Sequence, residues 1–128
     1  HKGDQHDAPV DPNFFGTGRC VTDADGRYKF VTIRPGAYPI VRLGNRWRPA
    51  HIHYSITGGS FAQRLITQCY FPGDPLQGED FVYQAVTNKA ARERLIVKYA
   101  PDHSILGYAA GQSFDIVLRG RNATPMGH

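Results

Sequence analysis

Two histidines stand two residues apart in the segment Arg48-Pro49-Ala50-His51-Ile52-His53, and Tyr38 lies ten residues before Arg48. Side chains alternate along a strand, so His51 and His53 project from the same face if this segment is extended. Imidazole is the commonest protein ligand for a transition metal. A phenolate from Tyr38 adds a hard anionic oxygen, and two imidazoles with a phenolate suit iron(III). Arg48 then falls beside a metal site, where negative charge can develop during a reaction.

Each of these residues also has a plainer use. A histidine pair in a strand can be half-buried and hydrogen-bonded to its neighbours, and zinc and cupin-type iron sites use the same spacing. There are seven tyrosines, and most tyrosines in a domain serve its core or its interfaces. By position alone Arg48 reads as a surface arginine. Gln68 reads as a strand residue facing either solvent or the site. Asp23-Ala24-Asp25-Gly26 opens like a calcium loop, but the twelfth position is Arg34 rather than glutamate, so a turn is the better reading. No Gly-x-Ser-x-Gly elbow and no Gly-x-x-x-x-Gly-Lys loop occurs.

The elements that must position these residues are mostly strands. Cys20 and Val21 lead into the turn at Asp23–Gly26, and Tyr28-Lys29-Phe30-Val31-Thr32-Ile33 follows as the second arm of a hairpin. Pro39 favours an extended Tyr38. Residues 41–47 read as a polar loop. His51 to Thr57 reads as a strand ended by Gly58-Gly59. Arg64 to Phe71 is another, with Leu65, Thr67, Cys69 and Phe71 on one face and Ile66, Gln68 and Tyr70 on the other. Pro72-Gly73-Asp74-Pro75 is a turn. One helix is expected, capped by Asn88, with Leu95, Ile96 and Tyr99 as its apolar stripe and Pro101 as its stop. The last strand is Phe114–Arg119, with Phe114, Ile116 and Leu118 inward. Short, regularly spaced strands predict an all-β fold, an antiparallel β-sandwich with one short helix.

Composition bounds the function. The 128 residues suffice for one domain and a self-sufficient core. The net charge is +4, but the basic residues are scattered, which argues against a nucleic-acid surface and suits small anionic substrates. Two cysteines make no disulfide framework, and free thiols predict a cytoplasmic protein. No apolar run approaches the ~18 residues of a membrane span, and residues 1–17 read as an extended arm.

Longer motifs extend this reading. Gly18-Arg19-Cys20-Val21-Thr22-Asp23, Gly26-Arg27-Tyr28-Lys29-Phe30, Thr32-Ile33-Arg34-Pro35-Gly36-Ala37-Tyr38-Pro39, Trp47-Arg48-Pro49-Ala50-His51-Ile52-His53 and Thr67-Gln68-Cys69-Tyr70-Phe71-Pro72-Gly73-Asp74-Pro75 together resemble the intradiol ring-cleavage dioxygenases. The resemblance runs over essentially the whole chain. It implies a mononuclear non-haem iron(III) enzyme that inserts both atoms of O2 into a catechol, with protocatechuate the expected substrate, to give a cis,cis-muconate. It also implies a related α subunit in a hetero-oligomer, and neither nucleic acid nor membrane as a partner.

Residue by residue, the resemblance assigns Tyr38, His51 and His53 to the metal, with Tyr38 as the tyrosine that leaves it when the catechol binds. It assigns Arg48 to stabilising the electron-rich substrate and Gln68 to the pocket wall. Ile40 lines the same pocket where close relatives usually carry tryptophan, which bears on the choice of substrate. The family's second tyrosine ligand matches a position upstream of His1. The expectation is therefore a single catalytic domain, residues 1–128, forming the C-terminal part of a longer subunit. The pattern Thr-Asp-x-Asp-Gly-x-Tyr-x-Phe also resembles transthyretin-like modules. The alternatives are thus a non-catalytic binding sandwich or an inactive dioxygenase-like subunit.

Overall fold

The longest ladder pairs β3 (His51–Thr57) with β4 (Arg64–Tyr70), antiparallel, from His51 opposite Tyr70 to Thr57 opposite Arg64. A computed structural model describes residues 9–40, 43–44, 46–59 and 64–126 of the chain. Alternation divides the ribbon into two faces. Ile52 and Tyr54 stand opposite Cys69 and Thr67 on one face, and His51 and His53 stand opposite Tyr70 and Gln68 on the other. The first face is covered by Phe71, Val97 and Phe114, which with Ala50, Cys69, Ile52, Tyr54 and Ile116 form the main apolar cluster.

A second layer lies over that cluster. Tyr28 and Phe30 bring their rings to 6.2 and 6.1 Å from Tyr54, whose ring is 5.2 Å from that of Phe114. The Tyr28 hydroxyl donates to the Phe114 carbonyl. Two further antiparallel pairs complete the strands: β1 (Tyr38–Ile40) with β2 (Arg46–Arg48), and β5 (Lys98–Tyr99) with β6 (Gln112–Ser113). The fold is all-β and antiparallel, with a few short helical turns.

Several elements differ from their sequence reading. The turn at Asp23–Gly26 forms, with Gly26 at a φ of 77°, but its arms carry no ladder. The Asp23 carboxylate accepts the amides of Asp25 and Arg27, and the Asp23 amide donates to the Arg27 carbonyl. Beyond the turn, Val21 and Val31 are 92% and 83% exposed, so alternate side chains gain nothing from an extended pairing. Phe114–Arg119 forms no strand, although Phe114 and Ile116 pack into the apolar cluster as expected. Val117 exchanges hydrogen bonds with Thr124 as the chain turns back, which leaves Leu118 exposed. Within residues 41–47, read as a loop, Arg46 and Trp47 belong to β2.

Two short helices form where one was expected. α1 (Phe81–Ala85) is capped by Asp80, which accepts the Tyr83 amide. α2 (Lys89–Glu93) is capped by Asn88, as anticipated, but it stops early. The Tyr70 amide donates to the Leu95 carbonyl and the Val97 amide to the Tyr70 carbonyl, both at 2.8 Å. The end of β4 thus captures residues 95–97, and Leu95 packs with Tyr70 and Tyr83 in a second small cluster. Tyr99 lies in β5 and is exposed.

Candidate metal centre

The pairing of β1 with β2 sets Tyr38 opposite Arg48, and the chain passes through buried Pro49 and Ala50 directly into His51 at the start of β3. Tyr38, Arg48 and His51 are thereby brought to one place by three consecutive strands. The Tyr38 hydroxyl is 3.3 Å from His51 Nε2. The rings of Tyr38 and His51 lie 5.5 Å apart, and those of His51 and His53 lie 5.0 Å apart. Among the described residues no three or more His, Cys, Asp or Glu side chains gather around one point. What meets here is the Tyr38 hydroxyl and His51 Nε2, with the His53 ring standing next to that of His51.

The tautomer of His51 follows from its neighbours. Nδ1 is 2.7 Å from the Pro49 carbonyl, which can only accept, so Nδ1 carries the proton. Nε2 is left with its lone pair facing Tyr38 and Arg48, whose Nη1 lies 3.1 Å away. Burial, and then the charge of Arg48, lower the His51 pKa to about 4, so the ring is neutral at pH 7. A neutral imidazole whose far nitrogen is pinned to a carbonyl is the form that binds a metal. One lone pair here faces two donors, and the donor set of two imidazole nitrogens and a phenol oxygen fits a ferric ion.

Arg48 is the surprise. By position it reads as a surface residue, yet it is 4% exposed and every side of its guanidinium meets protein. Nε donates to Asp80 Oδ1 at 2.8 Å and Nη2 to Asp80 Oδ2 at 3.1 Å, a two-point pairing. Nη2 also reaches Gln68 Oε1 at 2.7 Å and Tyr70 Oη at 3.2 Å. The Tyr70 hydroxyl donates to Asp80 Oδ2 at 3.1 Å. Burial alone would raise the Asp80 carboxyl. The hydrogen bonds and charge of Arg48 outweigh it and hold Asp80 below the usual carboxylate range. Burial and then the Asp80 charge push the Tyr70 phenol up, so it stays protonated.

The remaining expected residues are accounted for. Gln68 faces the site, not solvent, and is 1% exposed. His53 shares the His51 face and lies nearer solvent. Ile40 is half-buried, two residues from Tyr38 on the same face of β1. Sequence reasoning missed Tyr70 and Asp80. Tyr70 was signalled by sharing the Gln68 face. Asp80 was signalled only weakly, as an N-cap type of residue one position before Phe81.

Comparison with known proteins bears on this arrangement. A family model described as Dioxygenase matches residues 1–120. The chain is 60% identical over 126 residues to the protocatechuate 3,4-dioxygenase beta chain of Burkholderia cepacia, covering 98% of this chain and 53% of that one. This chain belongs to the intradiol dioxygenase family. A chlorocatechol 1,2-dioxygenase of Rhodococcus opacus is 41% identical over 75 residues, which are 49% of this chain and 29% of the relative. A hydroxyquinol 1,2-dioxygenase of a Rhizobium species is 32% identical over 113 residues, 80% of this chain and 38% of the relative. The chain spans about half the length of the Burkholderia relative. Intradiol dioxygenases use iron. No helix among the described residues is long and apolar enough to cross a membrane, and both cysteines are free thiols.

Proposed function

We propose that this chain carries the iron(III) site of an intradiol dioxygenase that inserts both atoms of O2 into a catechol. Protocatechuate is the substrate we assign, and 3-carboxy-cis,cis-muconate the product, with the ring bond between the two hydroxyl-bearing carbons broken. Tyr38, His51 and His53 hold the metal. A ferric ion, when bound, supplies a Lewis acid that takes up a catecholate and draws electron density from its ring.

The chain's own residues prepare that chemistry. The Pro49 carbonyl holds the proton on His51 Nδ1, so Nε2 meets the metal without first losing a proton. The Tyr38 oxygen, beside Nε2, would be a ligand of the ferric ion and is placed to accept a proton from an incoming catechol. Arg48 points Nη1 toward the same space and offsets negative charge growing on the substrate ring. Gln68 steadies Arg48, and Ile40 forms a wall of the pocket. The burial of Arg48, His51, Gln68 and Asp80 keeps water from one side of the reacting groups, where electrostatic interactions are stronger.

A related α chain is the partner we infer. The observation that carries the reading is the meeting of Tyr38 Oη and Arg48 Nη1 at the unprotonated nitrogen of His51. Its test is oxygen uptake and muconate formation on protocatechuate by the protein with its co-purifying partner. Arg48→Met should lower turnover by about 100-fold with iron content unchanged. Parallel losses of iron and turnover would show Arg48 to be structural, and an iron-loaded wild type that consumes no oxygen with any catechol would overturn the assignment.

A further inference from the structure

Asp80 lies outside the set of residues assigned to the reaction, yet its carboxylate accepts four hydrogen bonds, two of them from Arg48. Its Oδ1 accepts Arg48 Nε, and its Oδ2 accepts Arg48 Nη2, the Tyr70 hydroxyl and the Tyr83 amide. It is 1% exposed. The carboxylate therefore ties three things together: the guanidinium, the end of β4 and the first turn of α1.

The geometry of the pairing has a chemical consequence. A guanidinium presents two flat edges to a carboxylate, the Nε–Nη2 edge and the Nη1–Nη2 edge. Asp80 takes the first. That choice turns Nη1 toward His51 Nε2 and leaves Nη2 to Gln68 and Tyr70. Were the other edge taken, Nη1 would be drawn to the carboxylate and away from the site. The pair is also neutral as a whole, so Arg48 reaches the site as an oriented N–H donor whose net charge is already matched.

We propose that Asp80 is a positioning residue for the dioxygenase reaction, one that aims Arg48 Nη1 at the space shared by Tyr38 and His51. This rests on the role given to Arg48 above. Asp80 touches neither metal nor substrate and acts only through Arg48.

A double-mutant cycle tests this in the iron-loaded protein with its partner. Asp80→Asn preserves the helix cap, because asparagine caps as well as aspartate, but presents an amide N–H where Arg48 needs an acceptor. Its kcat should fall at least 10-fold while iron content holds. KM for protocatechuate, an anion, should stay level or fall, because the Arg48 charge is no longer matched. In an Arg48→Met background the same Asp80→Asn change should cost less than 2-fold in kcat. Equal costs in both backgrounds would overturn the proposal. Should Asp80→Asn not fold, Asp80→Glu and the Arg48→Met/Asp80→Asn pair, which buries no unmatched charge, complete the comparison: Glu must retain more kcat than the pair.

A readout independent of turnover is the Nε–H proton of Arg48 in the metal-free protein, followed by nitrogen-edited NMR. Its resonance should be protected from exchange in wild type and lost in Asp80→Asn. An equally protected resonance in the variant would overturn the proposal. A wild type without turnover would sink the parent reading, and this resonance would then decide for Asp80 alone.

Discussion

On one face of the β3–β4 ribbon stand His51, His53, Gln68 and Tyr70; on the other stand Ile52, Tyr54, Thr67 and Cys69. Both faces are largely buried near the Tyr70 end, and both arise from the same alternation along the same two strands. They are held by different physics. The second face is covered by rings and methyls, whose attraction has no direction and grows with area. The first face is held by hydrogen bonds that converge on Arg48, each fixed in direction and each costly to leave unmade. Damage to the apolar face should therefore spread as lost stability and leave the chemistry alone. Damage to the polar face should appear as unmatched charge and misdirected groups.

The largest expected effect breaks the polar face at its counter-ion. Asp80→Ala strands the buried Arg48 charge and should destabilise the fold by about 4 kcal/mol in urea unfolding. A loss below about 1 kcal/mol would mean that water reaches Arg48.

Acid attacks the same face. The folded protein holds His51 neutral, with a pKa of about 4, against about 6.5 for an ordinary imidazole. Between those values the unfolded chain binds a proton that the folded chain refuses. Stability should therefore fall as pH drops through that window, by up to about 3 kcal/mol in the metal-free protein. Asp80, whose pKa is depressed, adds its own loss only below the usual carboxylate range. His51→Gln should flatten the profile between pH 6.5 and 4. A variant profile with the wild-type slope would remove His51 as the cause.

The apolar face gives the contrast. Ile52→Ala should cost about 2 kcal/mol of stability while iron content and turnover at 25 °C stay at wild-type levels. A matching loss of iron would show that the two faces are not independent. The smallest effect lies away from both faces. Asn88→Ala removes the α2 cap and should cost about 1 kcal/mol, with the site untouched.

How far the sequence carried depends on distance along the chain. His51 and His53 on one face, the split of Thr67 and Cys69 from Gln68 and Tyr70, and the Asn88 cap are all local patterns, and strand or helix periodicity exposes them. The Arg48–Asp80 pair joins residues 32 apart. No local pattern announces it, which is why Arg48 read as a surface residue. The overlong helix failed for a similar reason. Residues 95–97 have helical company in sequence, but their amides and carbonyls find Tyr70 in space. The arms around Asp23–Gly26 show the converse: an alternating pattern makes no ladder where its outward side chains meet only solvent and the turn's own carboxylate takes the amides.

The central claim is that one ferric ion is shared by Tyr38, His51 and His53. Its most direct test is the visible spectrum of the protein titrated with ferric iron, wild type beside Tyr38→Phe. The wild type should develop a phenolate-to-iron charge-transfer band that saturates at one iron per chain, and Tyr38→Phe should weaken and shift that band at equal iron content. A colourless iron-loaded wild type, or a band identical in the two proteins, would contradict the account.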